Sequence, residues 1–146
     1  MTATSTQYCT FYLDRLCLGV EVTKVQEVIR WQPTTRVPLA PDVVGGLINL
    51  RGQIVTAVDL RRRLELPARA DHQPMNVVIR TDDGVVSLLV DEIGEVVEVA
   101  ESVFERCPET VQGVARELIR GAYKTKGQLL LVLDTDRAIA VGSGAN

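Results

Sequence analysis

Aromatic residues are scarce in this chain of 146 residues: Phe, Trp and Tyr together make up 4% of it, while 46% is hydrophobic. The core therefore has to be built from Val, Leu and Ile, whose branched side chains pack well on a pleated surface, and β-structure is favoured. Histidine is scarcer still. The single His72 sits in a polar stretch between Pro67 and Pro74 and reads as a solvated side chain rather than a base or a metal ligand. The three cysteines, Cys9, Cys17 and Cys107, are odd in number and make no C-x-x-C pair. With no signal peptide they are expected as reduced thiols in a cytoplasm, Cys9 and Cys17 serving as small core hydrophobes. No Cys/His cluster has metal spacing, and G-x-S-x-G, Walker-type and G-x-G-x-x-G patterns are all missing. Asp82-Asp83 and Asp134-Thr135-Asp136 fit turn and N-cap duty better than paired acid/base catalysis. No catalytic residue, cofactor or metal is expected. A net charge of −3 gives no basic face for nucleic acid, and no apolar run approaches the roughly 20 residues of a membrane helix. Arg61-Arg62-Arg63 is the local exception in charge, read as a solvated helix face.

What the chain does have is repetition. In the stretch from Gly45 to Leu60, two apolar-rich runs flank Arg51-Gly52, where glycine supplies the positive φ of a tight hairpin turn. Beyond the turn Ile54, Thr56, Val58 and Leu60 point one way and Val55, Ala57 and Asp59 the other, the period of a strand. Asp59 then heads Leu60-Arg61-Arg62-Arg63-Leu64 as the N-cap of a short helix. A shift of 75 residues repeats this module: Gly46 falls on Gly121, Arg51 on Lys126, Gly52 on Gly127, Asp59 on Asp134 and Arg62 on Arg137. An earlier block repeats at a shift of 68, with Val25 on Ile93, Glu27 on Glu95 and Val28 on Val96. Two copies are too few for a solenoid and imply a duplicated pair of lobes.

In chain order, residues 1–7 form a loose tail, and Tyr8 to Leu13 with Leu16 to Val22 make a hairpin around Asp14-Arg15. Thr23 and Gln26 have the spacing of a capping box, which predicts a short helix with Val25, Val28 and Ile29 on its apolar side and Glu27 exposed. Pro33, Pro38 and Pro41 mark an extended connector. The polar stretch from Pro67 to Pro74 is the best lobe boundary. A single unit over 8–140 is expected, with lobe one about 8–66, lobe two about 75–140, possible strand exchange between them, and a frayed tail at 141–146. A hairpin turns at Asp82-Asp83-Gly84, the stretch from Ser102 to Glu117 is a long surface loop with a strand or turn in it, and Asp134 caps a last short helix. Val85 to Val90 and Leu129 to Leu133 are apolar at nearly every position, so both of their faces should be buried. Two small barrels packed on a shared hydrophobic seam satisfy this: one face lines its own barrel, the other meets the neighbouring lobe. Arg51, at a hairpin tip, offers a planar donor fork suited to a carboxylate.

The succession Val25-Gln26-Glu27-Val28-Ile29, Pro38-Leu39-Ala40-Pro41, Gly46-Leu47-Ile48-Asn49-Leu50-Arg51-Gly52-Gln53-Ile54 and Val58-Asp59-Leu60-Arg61 resembles the CheW coupling proteins of bacterial chemotaxis. Leu88-Leu89-Val90-Asp91, Val96 and Ile119-Arg120-Gly121 fit the same pattern, so the resemblance runs from about Phe11 to Ile139. Thr56 stands where the family usually has proline, and Leu18 where an aromatic is common; both departures touch packing. The resemblance implies an all-β fold of two SH3-like five-stranded barrels with a few short helices. It also implies a non-enzymatic, cytoplasmic adaptor between the cytoplasmic tip of methyl-accepting chemoreceptors and the regulatory domain of a CheA-type histidine kinase. Carried over by motif, the receptor-contact residues are Val25, Glu27, Val28, Gly46 and Arg51, the missing side chain of Gly46 letting a receptor helix approach. No residue is assigned to the kinase contact. The chain has no room for a phosphoacceptor or receiver region and is expected as the free-standing adaptor. An adaptor of a chemosensory-like pathway for pili or gene regulation fits the same residues, and a small-ligand-binding regulatory barrel is the alternative from another class.

Overall fold

The computed structural model describes residues 5–67, 73–82, 84–100, 103–109, 111, 113–125 and 127–140. Among the described residues ten strands carry the fold: β1 (Ser5–Leu13), β2 (Leu16–Glu21), β3 (Val25–Ile29), β4 (Val44–Leu50), β5 (Gln53–Asp59), β6 (Met75–Thr81), β7 (Gly84–Val90), β8 (Glu92–Ala100), β9 (Ile119–Thr125) and β10 (Gln128–Leu133). Three helices of four or five residues punctuate them: α1 (Leu60–Arg63), α2 (Val114–Leu118) and α3 (Thr135–Ile139). The strands form two five-stranded sheets, ordered β8-β1-β2-β10-β9 and β3-β6-β7-β5-β4. This is the expected all-β pair of five-stranded lobes.

The sheets do not divide at residues 66–75. All of β3 to β7 form one lobe, here the inner lobe, while β1 and β2 pair with β8 and β10 to form the outer lobe from both ends of the chain. Strands from the two halves of the chain thus share each sheet. This follows from two parallel pairings, β5 with β7 and β10 with β2, each of which places a strand beside one that is not its hairpin partner. Ser5, Thr6 and Gln7, expected in a loose tail, pair with Ala100, Val99 and Glu98. Residues 141–146 and His72 lie outside the described residues.

The duplication is visible in the strand orders, since β3, β6, β7, β5 and β4 match β8, β1, β2, β10 and β9 position for position. Asp59 and Asp134 both cap their helices, accepting from the backbone N–H of Arg62 and Arg137 respectively. The backbone N–H of Asp59 donates to Val43 O and that of Asp134 to Leu118 O, both at 2.7 Å.

Burial follows the alternation. Leu131 and Leu133 join a core shared by both lobes, with Phe11, Leu18, Val77 and Leu88, while Leu130 and Val132 turn into a core of the outer lobe beside Tyr8 and Cys17. Leu89, flanked by Leu88 and Val90 in the shared core, faces Ile48 and Val55 in the inner lobe. At about 25 cal/mol per Å² of apolar surface removed from water, such a seam makes the lobes one cooperative unit. Cys9 and Cys17 are buried free thiols, and burial pushes both upward in pKa, away from reactivity.

Two expected elements differ. The predicted helix at Thr23–Ile29 is a single 3-10 turn, Val22–Lys24, followed by β3. So short a segment cannot repay helix nucleation, whereas Val28 and Ile29 pair with Val77 and Asn76 of β6 and gain a ladder. Arg80 fixes the turn by donating to Thr23 O and Val25 O at 3.2 and 3.3 Å. The loop expected from Ser102 to Glu117 contains α2 in part, and Val111 and Leu118 are buried in the shared core. The spacing of Val111, Val114, Ala115 and Leu118 is that of a helix face.

Candidate functional site

The tip of the β4–β5 hairpin is set by its backbone. Arg51 and Gly52 both have positive φ, 53° and 88°, and Asn49 Oδ1 accepts from the Gly52 N–H at 2.8 Å. Two consecutive left-handed residues match the twist of the flanking strands, and an Asn side chain can lock the turn. The turn aims Arg51 across the open side of the inner lobe. There Nη1 and Nη2 donate to Glu27 Oε2 and Oε1 at 2.7 and 2.6 Å, a two-pronged pair. Since β3 and β4 are the two edges of this sheet, the pair closes one edge against the tip of the other. Glu27 is mostly covered and Arg51 remains 73% exposed. The Arg51 hydrogen bond holds the Glu27 carboxyl below the usual carboxylate range.

The structure therefore brings Glu27 and Arg51 together, from a strand rather than a helix, and the donor fork expected to await a carboxylate already holds one. Val28 is partly exposed at the same edge, while Val25 packs against the shared core. Gly46 differs from the expectation. It is buried at φ 139°, and a Cβ there would lie 2.7 Å from Thr35 O and 3.0 Å from Thr34 Cβ. Its missing side chain admits the chain's own connector, which bridges to Leu47 through Thr35. Ile54 was given no role by the sequence, yet it is 60% exposed three residues from Arg51, at the wet end of an otherwise buried strand.

Arg61-Arg62-Arg63 is not one solvated face. Arg61 is buried: its Nε and Nη2 donate to Asp91 at 2.8 and 3.0 Å, Nη2 also reaches Asp14 Oδ1 at 2.6 Å, and Nη1 donates to the Pro67 carbonyl. Asp14 lies in the β1–β2 turn and Asp91 between β7 and β8, so one guanidinium ties both lobes together. Arg63 donates to Ala138 O and Arg137 O at 3.1 and 3.0 Å, filling orphan carbonyls at the end of α3. Only Arg62 matches the solvated reading. A triplet on a four-residue helix points three ways, the signal that three identical charges cannot share one environment.

No group of three or more His, Cys, Asp or Glu among the described residues is arranged to hold a metal, and no helix among them is long and apolar enough to cross a membrane. The arrangement offers an exposed apolar and ion-paired edge, the chemistry of a protein contact.

The sequence model of the CheW-like domain matches residues 7–141. The chain is 34% identical over 122 residues to the chemotaxis protein CheW of Bacillus subtilis, covering 83% of this chain and 78% of that protein. It is 31% identical over 129 residues to the chemotaxis protein CheW of Thermotoga maritima, covering 88% and 84%. Among solved structures, the scaffolding protein TtCheW of Thermoanaerobacter tengcongensis superposes with a TM-score of 0.80 at 24% identity, covering 89% of each chain, a likeness of fold.

Proposed function

This chain belongs to the CheW-like family, and from that membership we propose that it is a non-enzymatic adaptor linking the cytoplasmic tip of methyl-accepting chemoreceptors to the regulatory domain of a CheA-type histidine kinase. The observation that carries the reading is the extent of the family match, which spans both lobes rather than one barrel. An adaptor needs two surfaces held in fixed relation, and the shared core together with the Arg61 tie supplies that rigidity. Work in the cytoplasm, on receptor arrays at the inner face of the membrane, belongs to the same proposal.

The receptor surface we assign to the edge carrying Val28, Glu27 and Arg51, with Val25 beneath it. Gly46 acts through the Thr34–Thr35 connector that it seats, rather than by touching the receptor. An amphipathic helix laid on this edge would bury Val28 and set polar groups against Arg51. Arrays rest on many weak contacts, so single affinities near micromolar, about −8 kcal/mol, are expected.

The test is an amide NMR titration of the labelled protein with a receptor-tip helical hairpin and, separately, with the regulatory domain of a CheA-type kinase. Two distinct sets of shifted signals, the receptor moving residues 25–28 and 51–54, support the coupling role. Binding of neither partner reopens the function, starting with the small-ligand alternative. Arg51→Ala is expected to weaken receptor binding with the fold intact; a loss of folding would make Arg51 structural.

A further inference from the structure

Glu27 faces Arg51 only because β3 is irregular. Along β6, Val77 and Ile79 belong to the shared core, while Val78, and with it Asn76, faces the inner lobe. Val25 lies opposite Ile79 and packs on the shared core, whereas Glu27, Val28 and Ile29 lie opposite Val78, Val77 and Asn76. Gln26 is therefore an extra residue, a β-bulge. In a regular strand Val25 and Glu27 would share a face. The bulge turns Glu27 to the inner-lobe side, where Arg51 reaches it.

The hydrophobic pattern does not fix this register. Without the bulge Gln26 would stand opposite Val78, Glu27 opposite Val77 and Val28 opposite Asn76. Gln26 and Glu27 are both polar, and Val28 and Ile29 both apolar, so the exchange costs little in burial. The Glu27–Arg51 pair, its guanidinium mostly in water, adds little to the choice. The outer lobe repeats the bulge, with Phe11 opposite Ile93 but Cys9 opposite Val96. There five pairs, from Cys9–Val96 to Ser5–Ala100, hold the strand beyond it, where β3 has three. What β3 has instead is a side chain. Asn76, fully buried, donates from Nδ2 to Arg30 O at 3.2 Å, just past the strand's end, and the buried Ser87 Oγ donates to Asn76 Oδ1 at 2.7 Å. The repeat at 68 residues puts Tyr8 and Gly19 at these two positions, so the polar pair belongs to the inner lobe alone. A buried hydrogen-bonded pair stabilises little more than apolar groups of the same shape; what it adds is a unique arrangement.

We propose that Asn76 is the positioning residue of this edge: by holding Arg30 it fixes the register of β3 beyond the bulge, and so the face on which Glu27 stands. Ser87 occupies the amide oxygen and leaves Nδ2 aimed at β3. Without this strut β3 straightens, Gln26 takes the place beside Arg51, and Glu27 turns to the other face. The consequence for a receptor rests on the edge proposed above; the placing of Glu27 does not.

The test is the full-length protein carrying both Asn76→Leu and Ser87→Ala. The two polar partners leave together and Arg30, at the exposed edge, can bond to water, so the urea midpoint should not fall. Carboxyl-resolved NMR should then find Glu27 titrating with the unpaired surface glutamates. The amides of β3 beyond the bulge should exchange about fivefold faster, the loss of one anchoring hydrogen bond. Ser87→Ala alone keeps the Asn76 donor and should lower the midpoint while Glu27 still titrates low. Deleting Gln26 from the double variant removes the bulge and the competing register with it, and should return Glu27 to its low titration. A pair that only fills the core would show no such rescue. Glu27 titrating low in the double variant, or staying in the ordinary range after the deletion, overturns the proposal. So does a double variant that unfolds both with and without Gln26. Affinity for the receptor-tip hairpin should fall as far as in Arg51→Ala. A hairpin that binds neither parent nor variant strikes the receptor assignment and leaves the Glu27 titration to decide the role of Asn76.

Discussion

The two lobes start from one plan and end with different interiors and different edges. The inner lobe is continuous in sequence, closes its open side with Glu27–Arg51, and lines its own core with aliphatic residues such as Ile48, Leu50 and Val55. The outer lobe is assembled from both ends of the chain and holds Tyr8, Tyr123 and Phe104, half of the chain's six aromatic residues, as neighbours with centroids 5.6 and 5.1 Å apart. What was kept is backbone: hairpin, aspartate cap and a glycine under a crossing connector. What diverged is the connector itself, helical over Val114–Leu118 in one lobe and proline-bound at Pro38 and Pro41 in the other. Duplication preserves the hydrogen-bonded frame, which tolerates little change, and leaves surface segments free to acquire separate contacts.

The largest departure from symmetry is Arg61, whose counterpart in the repeat is Asp136. The inter-lobe tie therefore exists at one end only. Arg61→Met takes the cation away from the buried Asp91 carboxylate, which keeps the Asp14 N–H, and should cost about 3–5 kcal/mol, read from urea denaturation. Arg62→Ala, next in sequence and exposed, should stay within about 0.5 kcal/mol. Equal losses in the two variants would dissolve the distinction between a tie and a solvated face.

The glycines under the connectors come next. Gly46→Ala must both hold φ 139° and move Thr35, whose carbonyl would lie 2.7 Å from the new Cβ, and a loss of about 2–3 kcal/mol is expected. Gly121→Ala meets Glu105 O at 2.6 Å and the Phe104 ring without a positive φ to maintain. The Phe104 ring is half-exposed and can swing away, so a smaller loss is expected. A larger loss at Gly121 would mean that the outer connector is the more rigid of the two.

These glycines also show how far the sequence could be read. Their equivalence, like that of Asp59 and Asp134, follows from spacing alone, because turns and caps need particular residues at fixed offsets. The all-β class followed from the Val, Leu and Ile content, and the shared seam from runs apolar on both faces. Three things were hidden. Residues 25–29 pair with β6 some fifty positions away, and no local pattern reports a ladder partner at that distance. The fate of Arg61 depends on Asp14 and Asp91, brought together only by the fold. The space at Gly46 is filled by Thr35, which sequence spacing alone left open to a partner. Local chemistry was legible; the partners of that chemistry were not.

Smaller is the strain at the inner connector. Leu39→Gly removes a left-handed leucine and exposes no core, so a gain of about 1 kcal/mol is expected in thermal or urea unfolding. A loss instead would mean that Leu39 packs against the lobe in solution, and the contrast between the two connectors would narrow.

The smallest effect concerns the edge pair. Glu27 has a folded-state pKa below its unfolded one, so its contribution is fully present above the unfolded value and fades as pH falls through the folded value. Carboxyl-resolved NMR should place its titration below those of unpaired surface glutamates, and Arg51→Ala should return it to the ordinary range. Arg51→Lys is the sharper variant, because it gives the inner lobe the residue that the repeat places at Lys126 in the outer one. A lysine offers a point charge in place of a fork, so the midpoint should move only part of the way back. A full return with lysine would show that the two-pronged geometry, not the charge, holds Glu27 ionised. No movement with either variant would show that the pair does not persist in solution, and that the inner lobe's edge is as open as its hydrogen-bonded order alone would leave it.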